Sequence, residues 1–315
     1  MRYLKDIHEG ETISETYLCK KKQALKTKTG KSYYSLLLQD KTGTIDAKIW
    51  DLSSGINNFE ELDYVHVEAM ITSFQGALQM NIRRLWLSQE GEYDPADFLP
   101  VSEQNINEMY QELLNIIHTI TQPYYKRLLE LFFIEDKKIA IVFKKHSAAK
   151  SVHHGFVGGL LEHTLSVTKL CIFFAQQYTM LNRDLLLTAA ILHDIGKLRE
   201  LSFFPANDYT DEGKLLGHIY IGAEWIHEKA KQISGFPEKL LNELKHCILA
   251  HHGELEFGSP KKPELMEAFA LNFADNMDAK METLKELFCA NPDNYGWLGY
   301  QKLLEADIRR SSGGK

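Results

Sequence analysis

The chain has 315 residues, a length that suits about two domains. An apolar fraction of 44% and a charged fraction of 25% are ordinary for a globular protein and exclude large-scale disorder. A net charge of −7 argues against a protein that coats nucleic acid indiscriminately, while leaving room for a local basic surface. Met1–Gly10 is charged and has no apolar h-region, so no secretory signal is visible. The densest apolar stretch, around Leu170–Ala175, is far too short to span a bilayer, and no membrane partner is expected. Cys19, Cys171, Cys247 and Cys289 form no CxxC pair and read as reduced core thiols of a cytoplasmic protein.

The first third reads as β-structure. A strand is expected around Thr12–Lys20, followed by a Lys-rich loop. Between Tyr17 and Lys48 lie Lys20, Lys21, Lys22, Lys26, Lys28, Lys31, Lys41 and Lys48, against only Asp40 and Asp46. In Tyr33–Gln39, Tyr34, Leu36 and Leu38 alternate with outward neighbours; in Thr44–Trp50, Ile45, Ala47 and Ile49 do the same. Asp40-Lys41-Thr42-Gly43 between them is a turn signal, so the pair should be a hairpin. Val65, Val67, Ala69 and Ile71 make a further strand, and Leu78, Met80 and Ile82 another after a turn at Gln75-Gly76. A small closed barrel buries five such faces without leaving edges.

From about Pro100 the period becomes helical. Ser102 is the expected N-cap of a helix carrying Ile106, Met109, Tyr110, Leu113, Leu114 and Ile117. Helix-like segments continue to the end, broken at Pro123, Gly158-Gly159, Gly196, Pro205 and Pro260–Pro263. The expected organisation is an all-β barrel at 1–95, a linker and helical connecting segment at 96–148, and an all-α domain at 149–315.

Histidines and aspartates fall on the apolar stripes of these helices. His163 shares a face with Val167, Leu170 and Phe174, and His193, next to Asp194, with Leu186 and Ala190. His251 follows Leu241, Leu244 and Ile248, and Asp275 follows Ala268 and Leu271. His218 completes the ordered set. One buried histidine is more often a hydrogen-bonded core residue than a ligand, but a whole set on core-facing stripes is costly unless its members are paired. A divalent-metal site satisfies them together. Mixed nitrogen and oxygen ligands suit manganese, iron or zinc better than calcium. The two oxygens of Asp194 could bridge two ions, an arrangement suited to phosphoester hydrolysis.

His163…His193-Asp194…His218…His251…Asp275 resembles the signature of the HD-domain phosphohydrolases, and Asp194-Ile195-Gly196-Lys197 extends it. The segments His153-His154-Gly155-Phe156-Val157-Gly158-Gly159-Leu160-Leu161-Glu162-His163-Thr164 and His251-His252-Gly253, behind a small N-terminal barrel, are similar to the YhaM family of bacterial 3′→5′ exoribonucleases over essentially the whole chain. The resemblance implies that His163, His193, Asp194 and Asp275 hold one ion and Asp194, His218 and His251 a second, with a water as nucleophile. Two ions are expected, manganese first, with iron, magnesium or zinc as alternatives. Lys197 would bind phosphate. His252 would touch substrate, protonate the leaving oxygen or serve as a further ligand. His153 and His154 are candidate substrate contacts before the glycine pair.

The five-strand order also resembles an OB-fold, whose second and third strands commonly bind oligonucleotides. Here Tyr33, Lys48 and Trp50 lie on the outward register, where bases stack while Lys20, Lys21, Lys22, Lys26 and Lys28 follow the phosphates. Arg83 and Arg84 extend this surface. The expected activity is 3′→5′ exonucleolytic cleavage of single-stranded RNA, with single-stranded DNA a further candidate substrate, releasing nucleoside 5′-monophosphates. Two other readings fit the residues: an HD-type phosphodiesterase on a small or cyclic nucleotide, and a non-catalytic single-strand-binding factor. Apolar residues such as Phe203 and Phe204 could serve a homo-oligomer interface.

Overall fold

The structure, a computed structural model, describes residues 1–53, 55–150 and 154–312. The chain divides into two units, Met1–Val101 with Phe204–Ala206, and Ser102–Phe203 with Asn207–Lys315. The first unit is the expected OB-fold barrel. Its strands are β1 (Thr12–Lys26), β2 (Ser32–Asp40), β3 (Gly43–Ile49), β4 (Tyr64–Phe74) and β5 (Ala77–Leu87), closed in the order β1-β2-β3-β5-β4. All pairings are antiparallel except β3 with β5. The alternating residues Leu36, Leu38, Ile45, Ala47, Ile49, Val65, Val67, Ala69, Ile71, Met80 and Ile82 fill the interior. The hairpin turn forms where expected. Asp40 Oδ1 accepts from Thr42 N at 2.7 Å and Gly43 N at 3.2 Å, an aspartate closing its own turn.

The barrel departs from expectation in β1. The strand runs on to Lys26, so Lys20, Lys21, Lys22 and Lys26 lie on a strand and not in a loop; of the five lysines only Lys28 is in the turn. Pairing with β2 continues to Lys26↔Ser32, which keeps this segment extended. A bulge between Cys19 and Lys21 shifts the alternation, so that Lys22 pairs with the interior residue Leu36.

The second unit is helical: α1 (Ile106–His118), α2 (Pro123–Glu130), α3 (Lys137–Phe143), α4 (Gly159–Gln177), α5 (Arg183–Leu192), α6 (Lys197–Glu200), α7 (Asp211–Ala230), α8 (Glu238–Ala250) and α9 (Met266–Ala290). Asn105, not Ser102, caps α1, because Asn105 accepts from the amides of Asn107 at 3.0 Å and Glu108 at 3.2 Å. Ser102 instead donates to Glu162. Every residue of α5 from Leu185 to Leu192 is buried, so this helix is core on all sides. Helices do not continue to the end: Trp297–Gln301 and Ala306–Arg309 form a two-stranded hairpin, β6 and β7. Its apolar residues are mostly exposed, including Trp297 and Tyr300, so no inward periodicity marked it. Three of the four free cysteines are buried, but Cys289 is exposed and is not a core thiol. Burial pushes the Cys19 and Cys247 thiols up to about 12, which keeps them protonated and inert. Among the described residues, no helix is long and apolar enough to cross a membrane.

Candidate metal centre

Five helices and the turns at their ends bring the six histidine and aspartate residues to one place. His163 comes from the first turns of α4 and Asp275 from the middle of α9. His193 and His251 sit at the C-caps of α5 and α8, where the helix dipoles favour positive charge. His218 follows a kink in α7 at Gly217, whose φ of 72° breaks the helix there. The freed amide of His218 donates to Glu200 at 2.9 Å, and the His218 Nδ1 lies 2.9 Å from the same Oε1.

The outer nitrogen of each ring is engaged in a way that fixes the inner one. His193 Nδ1 donates to the Ala190 carbonyl at 2.8 Å and His251 Nδ1 to the Ile248 carbonyl at 2.7 Å. A carbonyl can only accept, so in the neutral ring each Nε2 carries a lone pair. His163 and His218 have carboxylates in that position, Asp278 at 2.7 Å and Glu200 at 2.9 Å. The Nε2 atoms therefore converge with the oxygens of Asp194 and Asp275 as acceptors facing acceptors.

Two groups of atoms separate around Asp194. On its Oδ2 side, that oxygen lies 3.4 Å from His163 Nε2 and 3.3 Å from His193 Nε2; His163 Nε2 is 3.2 Å from Asp275 Oδ1 and 3.2 Å from His193 Nε2. On its Oδ1 side are His218 Nε2 at 3.5 Å and His251 Nε2 at 3.9 Å. Asp194 Oδ1, His218 Nε2 and His251 Nε2 are buried and have no hydrogen-bond partner among the described residues. Ligands about 2.0–2.2 Å from one ion sit roughly 3.0–3.5 Å from each other. Both groups fit a divalent cation by donor chemistry, and most of their separations match that spacing, with His251 Nε2–Asp194 Oδ1 and His193 Nε2–Asp275 Oδ1 wider at 3.9 Å. His252 packs against this second group, its ring 4.3 Å from that of His251 and 5.2 Å from that of His218.

Burial and the neighbouring charges oppose one another throughout the cluster. Burial pushes the Asp194 carboxyl up, but Lys197, His193 and His218 outweigh it and hold it well below the usual range. Burial likewise opposes ionisation of Asp275, and its hydrogen bond with His163 prevails. For His163 burial disfavours the charged ring, yet Asp275 and Asp278 raise it to about 10.

Lys197 points its amine at Asp194 Oδ2, 2.7 Å away. His154, expected to face substrate, is 2% exposed, and its Nε2 lies 3.0 Å from Asp278. This placement puts it behind His163 instead. His153 lies outside the described residues. Sequence reasoning missed Glu200 and Asp278. The only available signal was spacing, three residues beyond Lys197 and Asp275, on the same helix faces.

Gly196 lets α6 and α7 meet beside the site. A Cβ there would sit 2.1 Å from the His218 carbonyl oxygen and 2.8 Å from the Gly222 nitrogen, both backbone. Gly196→Ala is expected to cost about 1–3 kcal/mol by overpacking. Thermal denaturation reads this as a fall of several degrees, and a midpoint within about 1 °C of wild type would contradict it.

On the barrel, Tyr33 and Trp50 stack at 4.6 Å, with Trp50 45% exposed and its indole N–H donating to Asn81. Lys20, Lys21, Lys26 and Lys28 are exposed. Lys48 is turned back onto Asp46 at 2.8 Å and Ser35 at 2.7 Å. Lys22 is folded inward: its amine donates to the Phe59 carbonyl and lies over the Phe59 and Tyr34 rings. Lys22 and Lys48 are thus internally satisfied, unlike the exposed four.

An OB-fold barrel followed by a helical unit with clustered histidines and aspartates defines an HD-domain protein, and the HD domain family matches residues 160–280. An HD domain implies dependence on divalent metal. The chain is 36% identical to the 3′-5′ exoribonuclease YhaM of Geobacillus sp. (strain WCH70), over 87% of this chain and 84% of that protein. It is 35% identical to that of Bacillus subtilis (strain 168), over 88% of each. Among solved structures, the second OB-fold domain of replication protein A from Methanococcus maripaludis aligns with 15% identity and a TM-score of 0.24, covering 29% of this chain and 96% of that one. The chain belongs to the YhaM family.

Proposed function

We propose that this chain is a metal-dependent 3′→5′ exoribonuclease that hydrolyses single-stranded RNA to nucleoside 5′-monophosphates. The observation that carries the reading is the convergence of four imidazole Nε2 atoms and the Asp275 carboxylate around the two oxygens of Asp194, with Asp194 Oδ1, His218 Nε2 and His251 Nε2 lacking a hydrogen-bond partner among the described residues. His163, His193, Asp275 and Asp194 Oδ2 would hold one divalent ion, and His218, His251 and Asp194 Oδ1 the other. Such ions supply Lewis-acid activation of water and of the phosphodiester. Manganese suits this thiolate-free set.

The remaining residues have roles that follow from charge and exposure. Asp194 keeps the two halves of the site in register. Lys197, whose amine lies 2.7 Å from Asp194 Oδ2, would counter the charge of the phosphate. His252 is half-buried beside His251 and would donate a proton to the leaving 3′ oxygen. The barrel within 1–95 would hold the strand by stacking on Trp50 and Tyr33 and by its exposed lysines, and the helical domain within 149–315 would cut. That recipe also suits single-stranded DNA, since it names no 2′-hydroxyl contact. Four free cysteines suit a reducing cytoplasm.

Chelation with EDTA is expected to silence cleavage of a 5′-labelled single strand, and manganese to restore it better than calcium, which prefers six to eight oxygens. Products should shorten from the 3′ end. Activity that survives EDTA, or shortening from the 5′ end, would refute the proposal. Hydrolysis of a cyclic dinucleotide with the strand left intact would favour the small-nucleotide enzyme instead.

A further inference from the structure

Asp278 has no place in the ligand set above, yet it is a buried carboxylate with three side-chain partners. Its Oδ2 lies 2.7 Å from His163 Nδ1 and 3.0 Å from His154 Nε2, and Ser166 donates to its Oδ1. These are hydrogen-bond distances. Nitrogens that shared an ion with the carboxylate would stand roughly 3.0–3.5 Å from it. The His163–Asp278 contact is shorter than that spacing, so this pair is hydrogen-bonded, and the His154–His163–Asp278 group is read as a brace although its atoms lie close enough together to suggest an ion site.

The brace is built at a cost, and so is unlike incidental packing. His154 adopts a left-handed backbone with φ of 61°, uncommon for a residue other than glycine. Its carbonyl accepts from the Ala148 amide at 3.0 Å and lies where a Cβ on Gly159 would be, 2.0 Å away. Gly159 thus lets the chain pass close enough to aim the imidazole at Asp278. The other ring nitrogen, Nδ1, is buried without a hydrogen-bond partner among the described residues. A strained backbone at a residue whose imidazole is bonded to the carboxylate behind a proposed ligand points to a task there.

We propose that Asp278, held by His154 and Ser166, is the positioning residue that fixes the tautomer and orientation of His163, and so sets the affinity of that half of the site for its ion. The proposal rests on the assignment of His163 as a ligand. It separates the four histidines into two kinds. His193 and His251 are backed by carbonyls, whereas His163 and His218 are backed by carboxylates, so each half of the site has one imidazole of each kind.

The test is isothermal titration of metal-stripped, full-length protein with manganese, alongside RNA cleavage at increasing manganese and a thermal melt. Asp278→Asn keeps the shape but removes the charge. It should weaken manganese binding by about 10- to 100-fold, and excess manganese should recover most of the turnover at saturating RNA. His154→Gln leaves the His163–Asp278 hydrogen bond in place and should weaken binding by a smaller factor. It carries the test should Asp278→Asn fail to fold. Manganese affinity within about twofold of wild type in the folded variant overturns the proposal, as does lost turnover that excess manganese cannot restore. His163→Ala separates the two levels. If it abolishes tight binding of an ion while Asp278→Asn does not weaken it, the positioning role falls and the ligand set stands. If His163→Ala also leaves binding unchanged, both fall.

Discussion

Asp194→Ala is expected to abolish cleavage, by a factor of at least about a thousand, while RNA binding by the barrel persists. The reason is geometric. Among the described residues, Asp194 alone has an oxygen in each half of the site, Oδ2 among His163 and His193 and Oδ1 facing His218 and His251. Its loss leaves each set of imidazoles with one anionic ligand fewer and severs their connection. Two-ion sites contribute several kcal/mol to phosphoryl transition states, and each 1.36 kcal/mol is roughly tenfold in rate. The same change strips Lys197 of its partner in a place where burial disfavours its charged amine and Asp194, with Asp275 and Glu200, holds it above the ordinary value. A stability loss could therefore imitate a catalytic one. Asp194→Asn, which keeps the volume, and an Asp194→Ala/Lys197→Met double variant, which removes the unpaired charge, control for this. Metal content of the purified protein should fall for both ions. Folded Asp194→Ala that cleaves within about tenfold of wild type would end the two-ion mechanism.

Much of this was legible because burial and periodicity speak the same language in strands and helices. The alternation in Tyr33–Gln39 and Thr44–Trp50, with a self-closing Asp40 turn, specified the hairpin locally. His163 was visible because an imidazole one turn from Val167 must face the core of α4. What stayed hidden depends on distant partners. The carboxylate that backs His163 is 115 positions away, and nothing near Asp278 separates it from a solvated acidic residue of a long helix. The Gly217 kink leaves the surrounding helical pattern intact, yet it is what frees the His218 amide for Glu200. The bulge at Cys19 is likewise silent in the sequence, and it alone decides that Lys22 faces the rings of Tyr34 and Phe59 while Lys20 and Lys21 face solvent.

That division among the lysines yields the second large effect. Reversing Lys20, Lys21 and Lys26 to Glu is expected to weaken binding of long single strands by roughly 10- to 100-fold at moderate salt, since each lost phosphate contact also removes a released counterion. The slope of log affinity against log salt should become shallower by roughly 0.7 per contact, about 2 for all three. Trp50→Ala should instead lower affinity with the slope unchanged, because stacking contributes about 1–3 kcal/mol per base and releases no ions. Lys22→Gln should do neither. Its amine is held by the Phe59 carbonyl and by Glu60 at 3.6 Å, so its loss should appear in the thermal melt of the barrel. Turnover of oligonucleotides too short to reach the barrel should be nearly unaffected by the triple reversal. If long and short substrates lose activity equally, or if Lys22→Gln flattens the salt dependence as much as the exposed lysines do, the barrel does not grip RNA in this way.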